Sequence, residues 1–272
     1  MRKLFWTLIP FVIVAVGRTS YAQDVLQLKL KDFRPKSIYK IPVTPIAKSK
    51  FAAIDMHSHD FAKTDEDVAQ WVKTMNQKGI QKTVILSGAT GEQFDKIYAK
   101  YAKYPGRFEV WCGFDLNGYD QEGWIERSLM ELERCHKVGA RGIGELSDKG
   151  LGLRYSGGYG PHFNDPIIKP LIERCGELDM PVNVHVAEPY WMYLPMDSTN
   201  DGLMNAYKWR IDMTTEGILG HSELIKSLED AVSANPNTTI IACHYANCEY
   251  DLSILGKLLD KYPNLYGGAS AR

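Results

Sequence analysis

The chain predicts an α/β fold, a TIM-like (β/α)8 barrel that is incomplete, with roughly seven strands present. Three observations predict it. Short apolar runs alternate with amphipathic segments from residue 51 onwards, the pattern of a parallel sheet covered by helices. Imidazole and carboxylate side chains recur at the C-terminal ends of those runs, where barrel active sites lie. No glycine-rich dinucleotide loop follows the first run, as a Rossmann domain would require.

At 272 residues the chain can be one large α/β domain or two small ones and can bury a sizeable core. Apolar content of 44% with 24% charged residues is ordinary for a soluble enzyme. A net charge of −1 gives no basis for nucleic acid or an acidic membrane surface as partner. A small-molecule substrate is the partner expected, and a homo-oligomer is left open.

Residues 1–22 read as a signal peptide. Arg2 and Lys3 precede an apolar run from Leu4 to Gly17, and Ser20 and Ala22 supply small residues before a cleavage that leaves Gln23 first. That run is short of the roughly 20 residues an anchor helix needs, and no later stretch reaches that length. The mature protein is therefore expected to be exported, periplasmic or secreted, and free of the membrane. Residues 23–50, with Pro35, Pro42 and Pro45, read as an arm, and 51–272 as the barrel domain, C-terminally truncated. Cys112, Cys135, Cys175, Cys243 and Cys248 are widely spread without a CxxC pair. They read as small buried residues rather than a disulfide framework or zinc knuckle, with one bridge left open.

The elements follow in order. A strand over 51–57 leads to a helix over Asp65–Lys78, with Val68, Trp71, Val72 and Met75 on one face and Gly79 as its stop. Thr83–Leu86 is a buried strand, and a helix over 91–104 ends at Pro105. Phe108–Phe114 is the third strand, with a helix from about Gln121 to Lys137 behind it. Gly142–Leu146 is the fourth, its helix starting after Asn164-Asp-Pro166, where an N-cap residue precedes proline. Pro181–His185 is the fifth, followed by a long loop and a helix over Ser222–Ala234. Thr238–His244 is the sixth, with a helix over 251–262, and Leu265-Tyr266 opens a seventh.

His57 and His59 stand one residue apart, so a strand projects both from one face. His57, His59 and His185 can form a three-imidazole set for zinc or a similar divalent ion, manganese included, with an open position for water. Glu145 can serve as ligand, as acid/base or as the carboxylate that orients an imidazole. His244 reads as catalytic rather than as a primary ligand. In the loop after the fourth strand, Lys149, Arg154 and His162 can grip an anionic substrate or stay solvated. The loop Glu188–Gly220 carries Tyr190, Trp191, Tyr193, Trp209 and Arg210 and reads as a lid or as a segment packed on the barrel face. Arg154, Trp191, Tyr193 and Arg210 are the substrate-binding candidates.

Five stretches in order carry a resemblance: Ile54-Asp-Met-His-Ser-His59, Gly142-Ile-Gly-Glu145, Val182-Asn-Val-His-Val186, Ile240-Ile-Ala-Cys-His244, and Pro263-Asn-Leu-Tyr266 with Ser270-Ala-Arg272. Together they resemble the amidohydrolase-related (amidohydrolase 2 type) branch of the metal-dependent amidohydrolase superfamily, over residues from about 50 to the end. The resemblance implies a (β/α)8 barrel, His57, His59 and His185 as metal ligands, and His244 as the strand-six histidine beside the metal's water. Two features depart from that family. Its strand-eight aspartate has no counterpart here, and Gly267 and Gly268 follow Tyr266 where a carboxylate is common.

The function expected is metal-dependent hydrolysis of a small amide, ester or lactone by an activated water, with His244 and Glu145 orienting it. A non-oxidative decarboxylase or a hydratase is the alternative, since the resembled branch includes both; decarboxylation would need a carboxylate clamp such as Arg154 or Arg210. A non-catalytic exported barrel that binds metal or ligand is the third reading, motivated by the missing aspartate.

Overall fold

The structure is a computed structural model and describes residues 29–32, 34, 42, 44–153 and 159–270. The expected signal segment 1–22 and most of the expected arm 23–50 lie outside the described residues. The chain divides into residues 1–45 and 46–272. In the first unit, Leu30–Asp32 forms a short 3-10 turn.

Among the described residues of the second unit, seven strands alternate with helices. Strands β1 (Ala53–Ser58), β2 (Ile80–Leu86) and β3 (Phe108–Trp111) pair in parallel, and so do β4 (Ile143–Asp148), β5 (Val182–Val186), β6 (Ile240–Ala242) and β7 (Leu265–Gly267). A parallel bridge between Cys112 and Ile143 joins the two sheets. There the Cys112 N–H donates to the Gly142 carbonyl at 3.0 Å and the Gly144 N–H to the Cys112 carbonyl at 2.8 Å. Each strand thus lies beside its predecessor in sequence. A doubly wound sheet would reverse its order partway, so this is the sequential order of a barrel.

Helices α1 (Asp65–Lys78), α2 (Gly91–Tyr101), α3 (Trp124–Val138), α4 (Lys169–Glu177), the single turn α5 (Leu203–Ala206), α6 (His221–Ala234) and α7 (Leu252–Lys261) complete the unit. Helix α1 shows how closely local chemistry sets these elements. The Thr64 hydroxyl accepts from the Asp67 N–H while the Asp67 carboxylate accepts from the Thr64 N–H, a reciprocal cap worth about 1 kcal/mol. Gly79 ends the helix at φ 77°, a conformation open to glycine at little cost. The buried face of α1 carries Val68 and Met75, and the core it joins includes Ile85, Val110, Ile143 and Val184.

Some boundaries differ from expectation. Helix α3 starts at Trp124, because Gly123 is left-handed at φ 71°. Helix α4 starts at Lys169 rather than just after Pro166. Asp165 turns its carboxylate to the Ile167 N–H, and Asn164 is tied to Ser227. Strand β6 stops at Ala242, where the backbone enters a left-handed turn.

Among the described residues β1 and β7 do not pair, leaving the barrel open between them. Ile54 and Met56 on β1 are 53% and 43% exposed, and Tyr266 on β7 is 56% exposed. A cavity of about 300 Å³ at this seam is lined by Ile54, Met56, His57, Ile241, Gly268 and Ser270. The five cysteines are free and buried. No helix of the described residues is long and apolar enough to cross a membrane.

Candidate metal centre

The strand ends gather one cluster. His57 lies at the end of β1 and His59 just beyond it, their ring centroids 5.2 Å apart. Glu145 projects from β4, and His185 from β5. His244 arrives by an unusual route. His244, Tyr245, Ala246 and Asn247 are all left-handed, with φ of 53°, 52°, 54° and 52°. Non-glycine residues adopt this conformation at a cost of roughly 1–2 kcal/mol each. The Asn247 side-chain amide offsets part of it by donating to the carbonyls of Val186 and Ala187. The turn sets the His244 ring 4.7 Å from that of His185 and 5.0 Å from that of His57.

Glu145 is the hub. Its Oε1 lies 2.9 Å from His185 Nδ1 and 3.4 Å from His244 Nε2. Its Oε2 lies 3.3 Å from His59 Nε2 and 3.6 Å from His57 Nε2. Burial pushes its pKa up, yet contacts with His185, His244 and His57 outweigh that and hold the carboxyl well below the usual range. His185 shows the mirror effect: burial lowers it, but Glu145 and Glu188 raise it overall. Glu188, from the loop after β5, stands 3.6 Å from His185 Nε2 and forms an ion pair with Lys149. Burial opposes its ionisation, but His185 and Lys149 hold its pKa down at about 2.

The tautomers sharpen the electrostatics. His59 Nδ1 is 3.0 Å from the Leu86 carbonyl, and His244 Nδ1 is 2.7 Å from the Ser270 carbonyl. A carbonyl only accepts, so each Nδ1 carries the proton, and a neutral ring then presents its Nε2 lone pair. Both lone pairs face an ionised carboxylate, an arrangement that repels unless a proton or a cation lies between them. His185 Nε2 is in addition buried without a hydrogen-bond partner. Imidazole nitrogens with a carboxylate, the fixed Nδ1 protons and the orphaned nitrogen together fit a divalent cation. Among the described residues, the donor atoms of His57, Glu145 and Cys243, and those of Glu145, His185 and His244, lie within 4.8 Å of one another; His59 is in neither group, its Nε2 standing 3.3 Å from Glu145 Oε2.

The other expected site residues fare differently. Arg154 lies outside the described residues. Tyr193 is buried, and its hydroxyl accepts from the Glu188 N–H and donates to the Lys149 carbonyl, so it shapes the rim beneath the Glu188–Lys149 pair. Trp191 packs against Gly202, where an added Cβ would meet its ring at 1.9 Å. Arg210 is exposed and engages Tyr207, by a hydrogen bond to its carbonyl and by lying over its ring. Glu188 and Cys243 were not among the expected site residues, and Lys149, expected to grip an anionic substrate or stay solvated, pairs with Glu188 instead. Glu188 stands three residues after His185, and Cys243 directly precedes His244. Both signals were visible in sequence but ambiguous without the loop and turn that aim them.

Among solved structures, the chain is similar to a putative amidohydrolase from Staphylococcus aureus at 17% identity, with 81% of this chain and 80% of that chain covered and a TM-score of 0.50. It also matches 2,6-dihydroxybenzoate decarboxylase from Rhizobium at 17% identity, 72% and 67% coverage and a TM-score of 0.47. A third match is 4-oxalomesaconate hydratase from Rhodopseudomonas palustris, at 17% identity, 77% and 63% coverage and a TM-score of 0.45. No curated protein matches the chain. The first likeness agrees with the barrel order of the strands. A profile of the amidohydrolase family matches residues 47–271, which include every residue of the cluster around Glu145. The chain belongs to the amidohydrolase family and is an enzyme of the amidohydrolase superfamily.

Proposed function

We propose that this protein hydrolyses an amide, ester or lactone of a small molecule, using a divalent cation held by His57, His59, His185 and Glu145. The observation that carries the reading is the convergence of four imidazoles on one half-buried carboxylate, two of them with Nδ1 at a backbone carbonyl and Nε2 toward it. Zinc suits this imidazole-rich donor set, and manganese is the ion to test beside it. When bound, the cation supplies Lewis acidity, which lowers the pKa of water toward about 7 and polarises a carbonyl.

The chain's own groups then handle protons and orientation. His244, anchored through Nδ1 at the Ser270 carbonyl, offers Nε2 to accept the proton of the attacking water. Glu145 stays ionised and steadies the imidazolium that forms. The same nitrogen returns the proton to the departing amine or alkoxide. The N-terminal run supports export with Gln23 as first residue, which mass spectrometry of the exported protein checks.

The test is a screen of the full-length protein, loaded with zinc or manganese, against esters, lactones, amides and aromatic acids. Metal-dependent hydrolysis that disappears in His57→Ala is the expected result. Release of carbon dioxide from an aromatic acid without hydrolysis would replace the reading by decarboxylation. Bound metal without turnover of any class would favour a non-catalytic binding barrel.

A further inference from the structure

We propose that His221 is a positioning residue for His244: it holds the left-handed turn that presents the His244 ring to the centre. The inference rests on the hydrolytic reading above, in which His244 accepts the proton of the attacking water.

The turn needs holding. His244, Tyr245, Ala246 and Asn247 have φ between 52° and 54°, and residues other than glycine keep that backbone only where their surroundings over-determine it. Its start is tied to the β7 end, where the Tyr245 N–H donates to the Gly268 carbonyl at 2.9 Å and His244 Nδ1 to the Ser270 carbonyl. Its far end is tied to His221. The Nε2 of His221 lies 2.9 Å from the Asn247 carbonyl. A carbonyl only accepts, so this Nε2 carries the proton and donates it. The Asn247 side chain links the same end to the carbonyls of Val186 and Ala187.

His221 is built as a fixed donor. It opens α6, whose face of Leu224, Leu228, Ala231 and Val232 is buried, so it stands on a rigid element. The residue is 3% exposed. Tyr190, Tyr193 and Tyr250 meet its ring edge-on, with centroids 5.6, 5.8 and 5.3 Å away, which restricts its rotation. Burial pushes its pKa below the ordinary value, outweighing the hydrogen bond to Asn247 and the charge of Glu249, so the ring is neutral. Its Nδ1 is buried without a hydrogen-bond partner among the described residues. An apolar ring could fill this space; the single directed N–H is what histidine adds. Tyr190 and Tyr193 belong to the loop after β5 that carries Glu188, so the same imidazole joins that loop to the turn.

The test compares zinc-loaded full-length proteins by two readouts: hydrolysis of 4-nitrophenyl acetate, and the downfield proton resonance of His244 Nδ1–H, assigned by its absence in His244→Ala. His221→Phe keeps a ring among the tyrosines and removes the donor, whereas His221→Gln restores an N–H near the position of Nε2. His221→Phe is expected to lower kcat about 100-fold with KM within about twofold, the cost of a misplaced proton acceptor, and to broaden the resonance. Its zinc content and circular dichroism are expected to stay unchanged, and His221→Gln to recover most of both readouts. Added to His244→Ala, His221→Phe is expected to cost nothing further. A sharp His244 resonance with wild-type kcat in His221→Phe overturns the proposal, as does a Gln variant no better than the Phe variant. A full further loss in the His244→Ala background also overturns it, since His221 would then act by another route. Absence of hydrolysis in wild type overturns the hydrolytic reading instead, and the resonance still decides whether His221 positions His244.

Discussion

His185 Nδ1 lies 2.9 Å from Glu145 Oε1, and each group stabilises the charged form of the other in a half-buried setting. Burial alone would lower the pKa of His185; Glu145 and Glu188 reverse that and raise it. In metal-free protein, Glu145→Gln is therefore expected to move the His185 titration to lower pH, followed by NMR of the imidazole protons. An unmoved midpoint would contradict the coupling.

Glu188 borders the buried Nε2 of His185 and is itself held by Lys149. Outer partners of a ligating histidine change metal affinity by about 10–100-fold when replaced. Glu188→Gln is expected to weaken zinc binding within that range in a competition titration with a chromogenic chelator, while the melting temperature of the metal-free protein changes little. Unaltered affinity would remove Glu188 from the centre.

The loop after β4 is pinned by Asp148, which is fully buried and accepts from the N–H groups of Gly150, Gly152 and Phe163 and from His162 Nδ1 at 3.0 Å. The hydrogen bond to Asp148 raises the pKa of His162 above its ordinary value of 6.5. A raised folded-state pKa means that the protonated form stabilises the fold. The contribution is complete below pH 6.5 and is lost as pH rises through the folded-state value. The melting-temperature deficit of His162→Ala is expected to be larger in acid than in alkali. A deficit that grows with pH would contradict the pairing.

Gly142 sits where an added Cβ would come within 2.4 Å of the Trp111 ring, and Trp111 is fully buried. The ring has no room to retreat, so Gly142→Ala is expected to cost about 1–3 kcal/mol, read by chemical denaturation. Because the same stretch carries the bridge between β3 and β4, the Trp111 fluorescence should shift as well. Wild-type stability would show that the ring yields.

Most of the strand order was legible in sequence, because buried parallel strands are short apolar runs and each helix has its own start and stop signals. Thr64 with Asp67, and Gly79 after α1, show how local those signals are. His57, His59, Glu145, His185 and His244 were legible as strand-end residues, and the structure brings all five together. The pairing of Glu188 with Lys149 was not, since it depends on two loops meeting. Nor was the turn that aims His244: left-handed backbone is signalled by glycine or asparagine, and here His244, Tyr245 and Ala246 precede the single Asn247. Cys243 read as a small buried residue, which its burial bears out; its place beside Glu145 needed the turn.

The central claim is that the histidines around Glu145 hold a divalent cation, and elemental analysis of the purified protein beside its His57→Ala/His59→Ala variant tests it most directly. Wild type is expected to carry divalent metal in stoichiometric amount, and the double variant to lose it while keeping its circular dichroism. Equal metal content in the two proteins, or none in wild type after dialysis against zinc, would contradict the assignment.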